Sequence, residues 1–351
     1  MAYTNIDDPS AYFQTKLYVG TSGLNIPVTH TNDGNSDLQP DLIWGKDRST
    51  AYGHYLCDSS RGRSKYLYSE AVTAEVTTDA AGNDIVSFDT NGFKVGAPSA
   101  AISTNAGNGN KVAWQWKANG GSKGTNSDGS TDATVQVNQD AGFSIVEFTT
   151  DGGNETYGHG LGVKPDIVIV KSRSGAGSWI YMTDVIDGSV DYLLLNTNAA
   201  AADLSYGAFT SSTFQYNDNN AITQLAYCFA EKQGYSKFGK YVGNGNDNGP
   251  FVYTGFKPAW IMVKNIDSGV DHWHIIDNKR NPNNVAGKLL FADLDSAEIT
   301  YTTEVLFDIL SNGFKLRGDY DHINKSGENI IYMAFAENPF VTSTGIPTTA
   351  R

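Results

Sequence analysis

Three segments of the chain share one pattern of apolar and polar positions. Each starts at a proline, continues through a mainly apolar run and reaches a lysine six positions after the proline: Pro40 to Lys46, Pro165 to Lys171 and Pro258 to Lys264. A continuous apolar run of this length is typical of a strand buried on both faces, and proline is tolerated where a strand begins. The pattern therefore predicts three equivalent buried strands.

Each of the three units also ends in a segment where small and large side chains alternate. These closing segments are Val112 to Lys117, Leu225 to Glu231 and Ile331 to Glu337. Successive side chains of a strand point to opposite faces, so the rings should share one face and the small residues the other. We therefore predict that Trp116, Phe229 and Phe335 are buried at equivalent positions.

The first and third units share an Asn-Gly turn signal, at Asn91-Gly92 and Asn312-Gly313, whereas the second has only the divergent segment 212–216 there. The predicted fold class is all-β, with three related antiparallel β modules. Units of about 100 residues with this strand content favour β-sandwiches; blades of a prism- or propeller-like assembly are the alternative. The predicted division is an N-terminal arm at 1–16, β module 1 at 17–118, a Gly/Ser/Asn linker at 119–133, β module 2 at 134–238, β module 3 at 239–340 and a C-terminal tail at 341–351.

Composition excludes several classes of protein. The chain has 25 basic and 38 acidic residues, a net charge of -13, which disfavours a nucleic-acid binder because such proteins carry basic patches. No apolar run approaches the ~18 residues of a membrane-spanning helix, so we expect no membrane insertion. Cys57 and Cys228 lie far apart and form no CxxC pair, which excludes a disulfide framework and a paired-cysteine zinc site. The N-terminus lacks the basic and apolar regions of a signal peptide.

Several sequence motifs resemble a repeat module of virion proteins from marine tailed bacteriophages. These motifs are Asp7 to Phe13, Gly255 to Pro258 before the apolar strand, Cys228 to Glu231, and the connecting segment Gly234 to Gly239. The resemblance covers about residues 12–340. It implies lectin-like modules, concanavalin A- or jelly-roll-like sandwiches, in a virion surface protein such as a tail fibre, receptor-binding protein or head decoration. It also implies contacts with other virion proteins and a trimeric homo-oligomer, and it supplies no catalytic residue. Because the N-terminus does not resemble a signal peptide, we expect synthesis in the host cytoplasm.

Two kinds of metal site are weighed from the residues. His272 and His274 flank Trp273, so on a strand both imidazoles leave one face, which could make half a metal site. No third ligand at diagnostic spacing accompanies them, which favours two polar positions beside a core tryptophan. The Asp/Asn/Gly-rich loops 32–37, 151–155 and 244–249 offer oxygen ligands for calcium, but the same residues are ordinary turn formers. We therefore predict no cofactor, with calcium as the alternative.

No sequence motif for nucleophilic or metal-dependent catalysis is present, which favours a protein that binds without turnover. Flat aromatic rings match the C–H faces of sugars, and Tyr206, Tyr216, Tyr241 and Tyr253 sit near loops and strand ends. With His272 and His274, these are the candidate ligand contacts, and a host surface glycan is the candidate ligand. A capsid decoration or head-fibre protein, a glycan-degrading depolymerase and a free carbohydrate-binding module are the alternatives. The segment 2–16 is predicted to dock on the virion or on a neighbouring subunit.

Overall fold

The computed structural model describes residues 4–21, 27–78, 83–98, 102–218, 220–301 and 306–348. These ranges are built almost entirely from antiparallel strands, with a short helix, α1 (Asp321–Asn324), and a 3-10 turn at Pro9–Ala11. None of the helices in these ranges is long and apolar enough to cross a membrane. The predicted all-β class with antiparallel modules is therefore confirmed.

Module 1 consists of a main sheet, a small sheet and a two-stranded ribbon. Its main sheet has the order β1-β9-β3-β4, its small sheet the order β2-β8-β7, and β5 pairs with β6. The strands are β1 (Phe13–Val19), β2 (Val28–His30), β3 (Leu42–Asp47), β4 (Tyr55–Asp58), β5 (Lys65–Tyr66), β6 (Val76–Thr77), β7 (Ile85–Asp89), β8 (Gly92–Val95) and β9 (Asn110–Trp116).

Module 2 has the largest sheet of the chain, with the order β10-β11-β12-β19-β14-β15-β16-β17, and a two-stranded sheet of β13 and β18. Its strands are β10 (Gly124–Asn126), β11 (Ala133–Asn138), β12 (Phe143–Thr149), β13 (Asn154–Gly158), β14 (Ile167–Ser172), β15 (Ile180–Thr183), β16 (Asp191–Leu194), β17 (Ala202–Asp203), β18 (Thr213–Asn217) and β19 (Thr223–Phe229).

Module 3 repeats the plan with a main sheet of order β20-β28-β22-β23-β24-β25 and a small sheet of order β21-β27-β26. Its strands are β20 (Ser236–Val242), β21 (Phe251–Tyr253), β22 (Phe256–Asn265), β23 (His274–Asp277), β24 (Lys288–Phe291), β25 (Ile299–Thr300), β26 (Phe307–Leu310), β27 (Gly313–Leu316) and β28 (Asn329–Pro339).

The three main sheets share the order and register of three central strands. In each, the closing strand lies between the strand of the proline motif and an earlier strand of the same module: β1-β9-β3, β12-β19-β14 and β20-β28-β22. The residue two positions after each motif proline pairs with the terminal ring of the closing strand: Leu42 with Trp116, Ile167 with Phe229 and Trp260 with Phe335. The sequence repeat is therefore a structural repeat.

The rings of the closing strands meet at the centre of the molecule. The ring centroid of Trp116 lies 6.5 Å from that of Phe229 and 5.5 Å from that of Phe335, and the last two are 5.8 Å apart. All three rings are buried, as predicted. The hydrophobic cluster around them includes one face of every main sheet, so the three modules surround a common core.

The opposite face of each main sheet packs against the small sheet of its own module. Each module therefore has a hydrophobic cluster of its own, separate from the common core. Each module is thus a two-layer sandwich, while the three modules together are arranged as blades around a pseudo-threefold axis.

The lysines of the motif have the same role in all three modules. Lys46, Lys171 and Lys264 are fully buried, and burial lowers the pKa of each to about 8. Each ammonium donates to the carbonyl of the next residue, over 2.8, 3.0 and 2.5 Å respectively. These hydrogen bonds replace the water that a buried charge loses, which explains a lysine at the end of an apolar run.

The predicted boundaries fall differently on the structure. The arm boundary at 16/17 cuts β1, the linker 119–133 contains β10, and the boundary at 238/239 cuts β20. The polar residues of β1 hid a strand from the sequence pattern, because pairing with β9 and not an apolar run holds it in place. The arm itself packs on this chain: Ile6 joins the common core, and the Thr4 hydroxyl donates to the Gln233 carbonyl at 2.8 Å.

Candidate ligand-contact sites

The four candidate tyrosines lie in different environments. Tyr216 and Tyr241 are buried, and the Tyr241 hydroxyl donates to the Ile323 carbonyl at 2.8 Å. Tyr206 is half-buried, and its hydroxyl donates to the Asn217 carbonyl at 3.2 Å. Tyr253 is 51 % exposed. Of the four, Tyr253 is therefore the ring best placed to contact a ligand from solvent, whereas Tyr216 and Tyr241 belong to the cores of their modules.

Tyr253 is accompanied by a second exposed ring on β21. Phe251 is 45 % exposed, whereas Val252 between the two rings is 6 % exposed and belongs to the core of module 3. Because alternate residues of a strand share a face, Phe251 and Tyr253 point outward together, roughly 7 Å apart along the strand. β21 is the edge strand of the small sheet, and its pairing with β27 fixes the position of both rings.

The histidine pair lies at the start of β23. As predicted, both imidazoles share a face: the ring centroids of His272 and His274 lie 5.5 and 5.0 Å from that of Phe291. Trp273 points the other way, into the common core. His272 is half-exposed and its Nδ1 lies 2.6 Å from a carboxylate oxygen of Asp293.

His274 is buried instead, and burial lowers its pKa to about 3. Its Nδ1 donates to the His272 carbonyl at 2.8 Å. His322 on α1 pairs with Asp271 nearby, and its ring centroid is 6.1 Å from that of His274. Tertiary structure thus gathers a third histidine that the sequence spacing did not reveal.

These side chains do not form a metal centre as arranged here. Among the residues that the structure describes, no group of three or more His, Cys, Asp or Glu side chains could hold a metal ion. In the loop 244–249, side-chain oxygens accept from nearby backbone amides: Asn244 Oδ1 from Asn246 at 3.1 Å and Asn246 Oδ1 from Asn248 at 2.8 Å. These contacts are turn-forming contacts of the kind expected for such a loop.

Sequence analysis missed a groove beside the N-terminal arm. This arm groove has a volume of about 300 Å³ and is lined by Thr4, Asn5, Ile6, Tyr12, Asp140, Lys232 and Gln233. A second groove of about 230 Å³ lies between modules 1 and 3, where residues 33–35 face residues 336–338. Both are formed by segments far apart in the chain, so local spacing carried no signal for them.

The family to which the chain belongs was identified by comparison with known families. The matching profile is described as a domain of unknown function, DUF7483, and it covers residues 8–339. The chain belongs to this family. Since the match starts in the arm and ends with β28, one family domain includes all three modules, in agreement with their common core. No curated protein and no solved structure matches the chain significantly.

Proposed function

We propose that this protein is a non-enzymatic structural component of a phage virion surface, of the tail-fibre or receptor-binding type, whose lectin-like modules contact a glycan on the host surface. The observation that carries the proposal is the outward-facing pair Phe251 and Tyr253 on β21. Aromatic rings of this size contribute most to stability when buried. Two of them exposed side by side on a paired strand form a platform suited to the C–H face of a sugar ring.

The architecture supports display of such a platform. The three modules share one core, so the outer strands are held in fixed positions relative to one another. A preorganised surface loses little conformational entropy when a ligand binds. The net charge of -13 repels polyanions, which favours a neutral glycan as the ligand.

A binding experiment tests the proposal. The intact protein, and a double variant Phe251→Ala/Tyr253→Ala, are applied to an array of neutral and anionic bacterial glycans. We expect the protein to bind neutral glycans, and the double variant to bind at least about tenfold more weakly, a loss of ~1.4 kcal/mol. Tyr52→Ala is the matched control, because Tyr52 is 46 % exposed on module 1.

The other outcomes distinguish the remaining candidate functions. Unchanged binding by the double variant, or no binding by the intact protein, contradicts a glycan-binding role for β21. Attachment to capsids without glycan binding would favour a decoration or head-fibre protein. Release of oligosaccharides from host polysaccharide, abolished by one carboxylate substitution, would favour a depolymerase.

A further inference from the structure

The arm groove brings together three segments that are distant in sequence. Thr4, Asn5, Ile6 and Tyr12 come from the arm, and Asp140 comes from the turn before β12. Lys232 and Gln233 come from the turn between β19 and β20, where module 2 passes into module 3. The groove is separate from β21 and is therefore a second candidate site.

The walls of the groove are held in place by contacts within the chain. The Tyr12 ring stands edge-on to Tyr235, with the ring centroids 5.8 Å apart, and Tyr235 is buried. The Tyr235 amide donates to the Lys232 carbonyl at 2.9 Å, which closes the turn. The Thr4 hydroxyl ties the arm to that turn through Gln233. These contacts fix the walls of the groove, as expected for small-molecule sites, which are usually largely pre-formed.

The chemistry of the lining restricts what can bind. Asp140 supplies one carboxylate and Lys232 one ammonium, so the formal charges of the lining cancel. Asn5 and Gln233 add amide donors and acceptors, and Tyr12 adds a ring and a hydroxyl. Burial, with a smaller contribution from Asp140, raises the pKa of Tyr12, so its hydroxyl keeps its proton and can donate.

Neutral saccharides fit this lining better than other classes of ligand. Phosphate sites need several cations or backbone amides directed at the anion, and here one lysine is balanced by an aspartate. A lipid or other apolar ligand needs a mainly apolar lining, whereas Ile6 and Tyr12 are the apolar contributors here. A sugar ring offers many hydroxyls for mixed donors and acceptors, together with a C–H face for one aromatic ring.

We infer that the arm groove binds a neutral monosaccharide unit, with the Tyr12 ring against the sugar and Asp140 and Lys232 hydrogen-bonded to its hydroxyls. The volume of about 300 Å³ lies at the lower end of ligand pockets, ~300–1,000 Å³, so one sugar unit is the expected occupant. Glycan contact would then involve the arm groove as well as β21.

Saturation-transfer difference NMR on the intact protein tests the inference. The probes are glucose, galactose, mannose and N-acetylglucosamine, with glucose 6-phosphate and glucosamine as charged comparators. We expect transfer to at least one neutral sugar, and a loss of affinity of at least about tenfold in Tyr12→Ala and in Asp140→Asn. Asp140 is exposed, so its substitution should leave the fold intact.

Two comparisons keep the test decisive. Tyr12→Phe retains the ring and should retain most of the signal, which separates the contribution of the ring from that of the hydroxyl, while Asp140→Asn tests binding without removing a packed ring. Phe251→Ala/Tyr253→Ala should leave monosaccharide binding unchanged, so the arm groove and β21 can fail independently. The inference is overturned if no neutral sugar gives transfer, if Asp140→Asn and Tyr12→Ala bind normally, or if a charged comparator binds more tightly than every neutral sugar.

Discussion

Two of the three contacts between modules are ionic, and the third is apolar, although the backbone is the same in all three. At each contact, one backbone amide donates to a backbone carbonyl of the neighbouring module at 2.9 Å. Between modules 1 and 2 the Glu75 amide donates to the Arg173 carbonyl, and between modules 1 and 3 the Glu298 amide donates to the Arg48 carbonyl. Between modules 2 and 3 the Ala201 amide donates to the Ile266 carbonyl. We call these three contacts the 1/2, 1/3 and 2/3 junctions.

The 1/2 junction contains a buried network of charges. Arg61 Nε donates to Asp58 at 2.6 Å, and its Nη1 donates to Glu75 at 3.0 Å. Glu75 also accepts from Arg173 of module 2 at 2.8 Å. The Tyr227 hydroxyl, on the closing strand of module 2, donates to Asp58 at 2.8 Å. Each carboxylate therefore has partners on both sides of the junction.

The 1/3 junction repeats this network with different residues. Arg280 donates to Asp277 at 2.5 Å and to Glu298 at 3.2 Å, and Arg48 of module 1 pairs with Glu298 at 2.8 Å. Trp114 takes the place of Tyr227, and its Nε1 donates to Asp277 at 3.0 Å.

At the 2/3 junction, the equivalent positions carry none of these charged residues. Thr183 occupies the position of Asp58 and Asp277 in the register, and its hydroxyl donates to a carbonyl of its own module, that of Asp166. Met333 occupies the position of Trp114 and Tyr227 on the closing strand, so no polar donor remains there. Ile266 and Ala201 stand where the other junctions have arginine and glutamate. A buried charge without its partners is costly, so such networks persist or disappear as units.

The largest expected effect comes from breaking one ionic junction. Arg280→Met leaves Asp277 and Glu298 buried with fewer partners, which should lower the free energy of unfolding by about 3–5 kcal/mol. Denaturant unfolding of the intact chain measures this loss. Ile266→Val at the apolar junction is the comparison and should cost only about 0.5–1.5 kcal/mol. Equal losses at both positions would contradict the distinction between ionic and apolar junctions.

A smaller loss of stability is expected for a substitution of His54 at the 1/3 junction. His54 directly precedes β4, just as Trp179 precedes β15 in module 2 and Trp273 precedes β23 in module 3. His54 Nδ1 accepts from Trp44 at 2.9 Å, and its Nε2 donates to the Phe291 carbonyl at 2.8 Å, as Trp179 and Trp273 donate to carbonyls of their neighbouring modules. His54→Gln should cost about 1–3 kcal/mol at pH 7, because one buried partner is left unpaired.

The pH dependence of the same variant checks the protonation state of His54. Burial lowers its pKa well below 6.5, so His54 stays neutral in the fold while it gains a proton in the unfolded chain. Its contribution to stability is therefore present above pH 6.5 and is lost as the pH falls. We expect the cost of His54→Gln to shrink below pH 6.5 by up to ~1.4 kcal/mol per pH unit. A constant cost between pH 7 and pH 5 would contradict this, because it would show that folding does not lower the pKa of His54.

A still smaller effect is expected where the arm meets the turn that links modules 2 and 3. Gly234 has a φ of +81°, and a Cβ there would lie 2.7 Å from the Thr4 side chain. Gly188 has a φ of +99° with no atom within 4 Å of such a Cβ. Gly188→Ala should cost about 1 kcal/mol from backbone strain alone, and Gly234→Ala should cost more because it also displaces the arm. Equal thermal stabilities of the two variants would indicate that the arm adds little to the fold.

A net effect close to zero is expected when one ionic junction is converted completely. At the 2/3 junction, Ile186 follows Thr183 by three positions, as Arg280 follows Asp277. The conversion Arg48→Ile, Trp114→Met, Asp277→Thr, Arg280→Ile and Glu298→Ala copies Ile266, Met333, Thr183, Ile186 and Ala201 and removes all four charges together. Replacing a whole buried ionic set by apolar residues is often neutral or stabilising. We expect the free energy of unfolding to lie within about 2 kcal/mol of that of the unmodified protein, which is a smaller loss than that caused by Arg280→Met alone. A larger loss would show that the two kinds of junction are not interchangeable.

The sequence by itself determined the repeat, the all-β class and three rings at the centre of the common core. Apolar runs and alternating rings are local signals, because burial on one or both faces of a strand imposes a period that neighbouring residues carry. Trp116, Phe229 and Phe335 could therefore be identified without coordinates. The shared face of His272 and His274 followed from the same alternation.

Only the tertiary structure decided which modules touch, which charges are buried and where ligands can bind. Asp58 and Tyr227 are 169 positions apart, and the arm groove unites segments from three parts of the chain. Such contacts depend on the orientation of whole sheets around the central axis, which no local period encodes. The exposure of Tyr253 and the burial of Tyr216 and Tyr241 were decided in the same way, since tyrosine is compatible with both a core and a surface and only its neighbours from distant strands select between them.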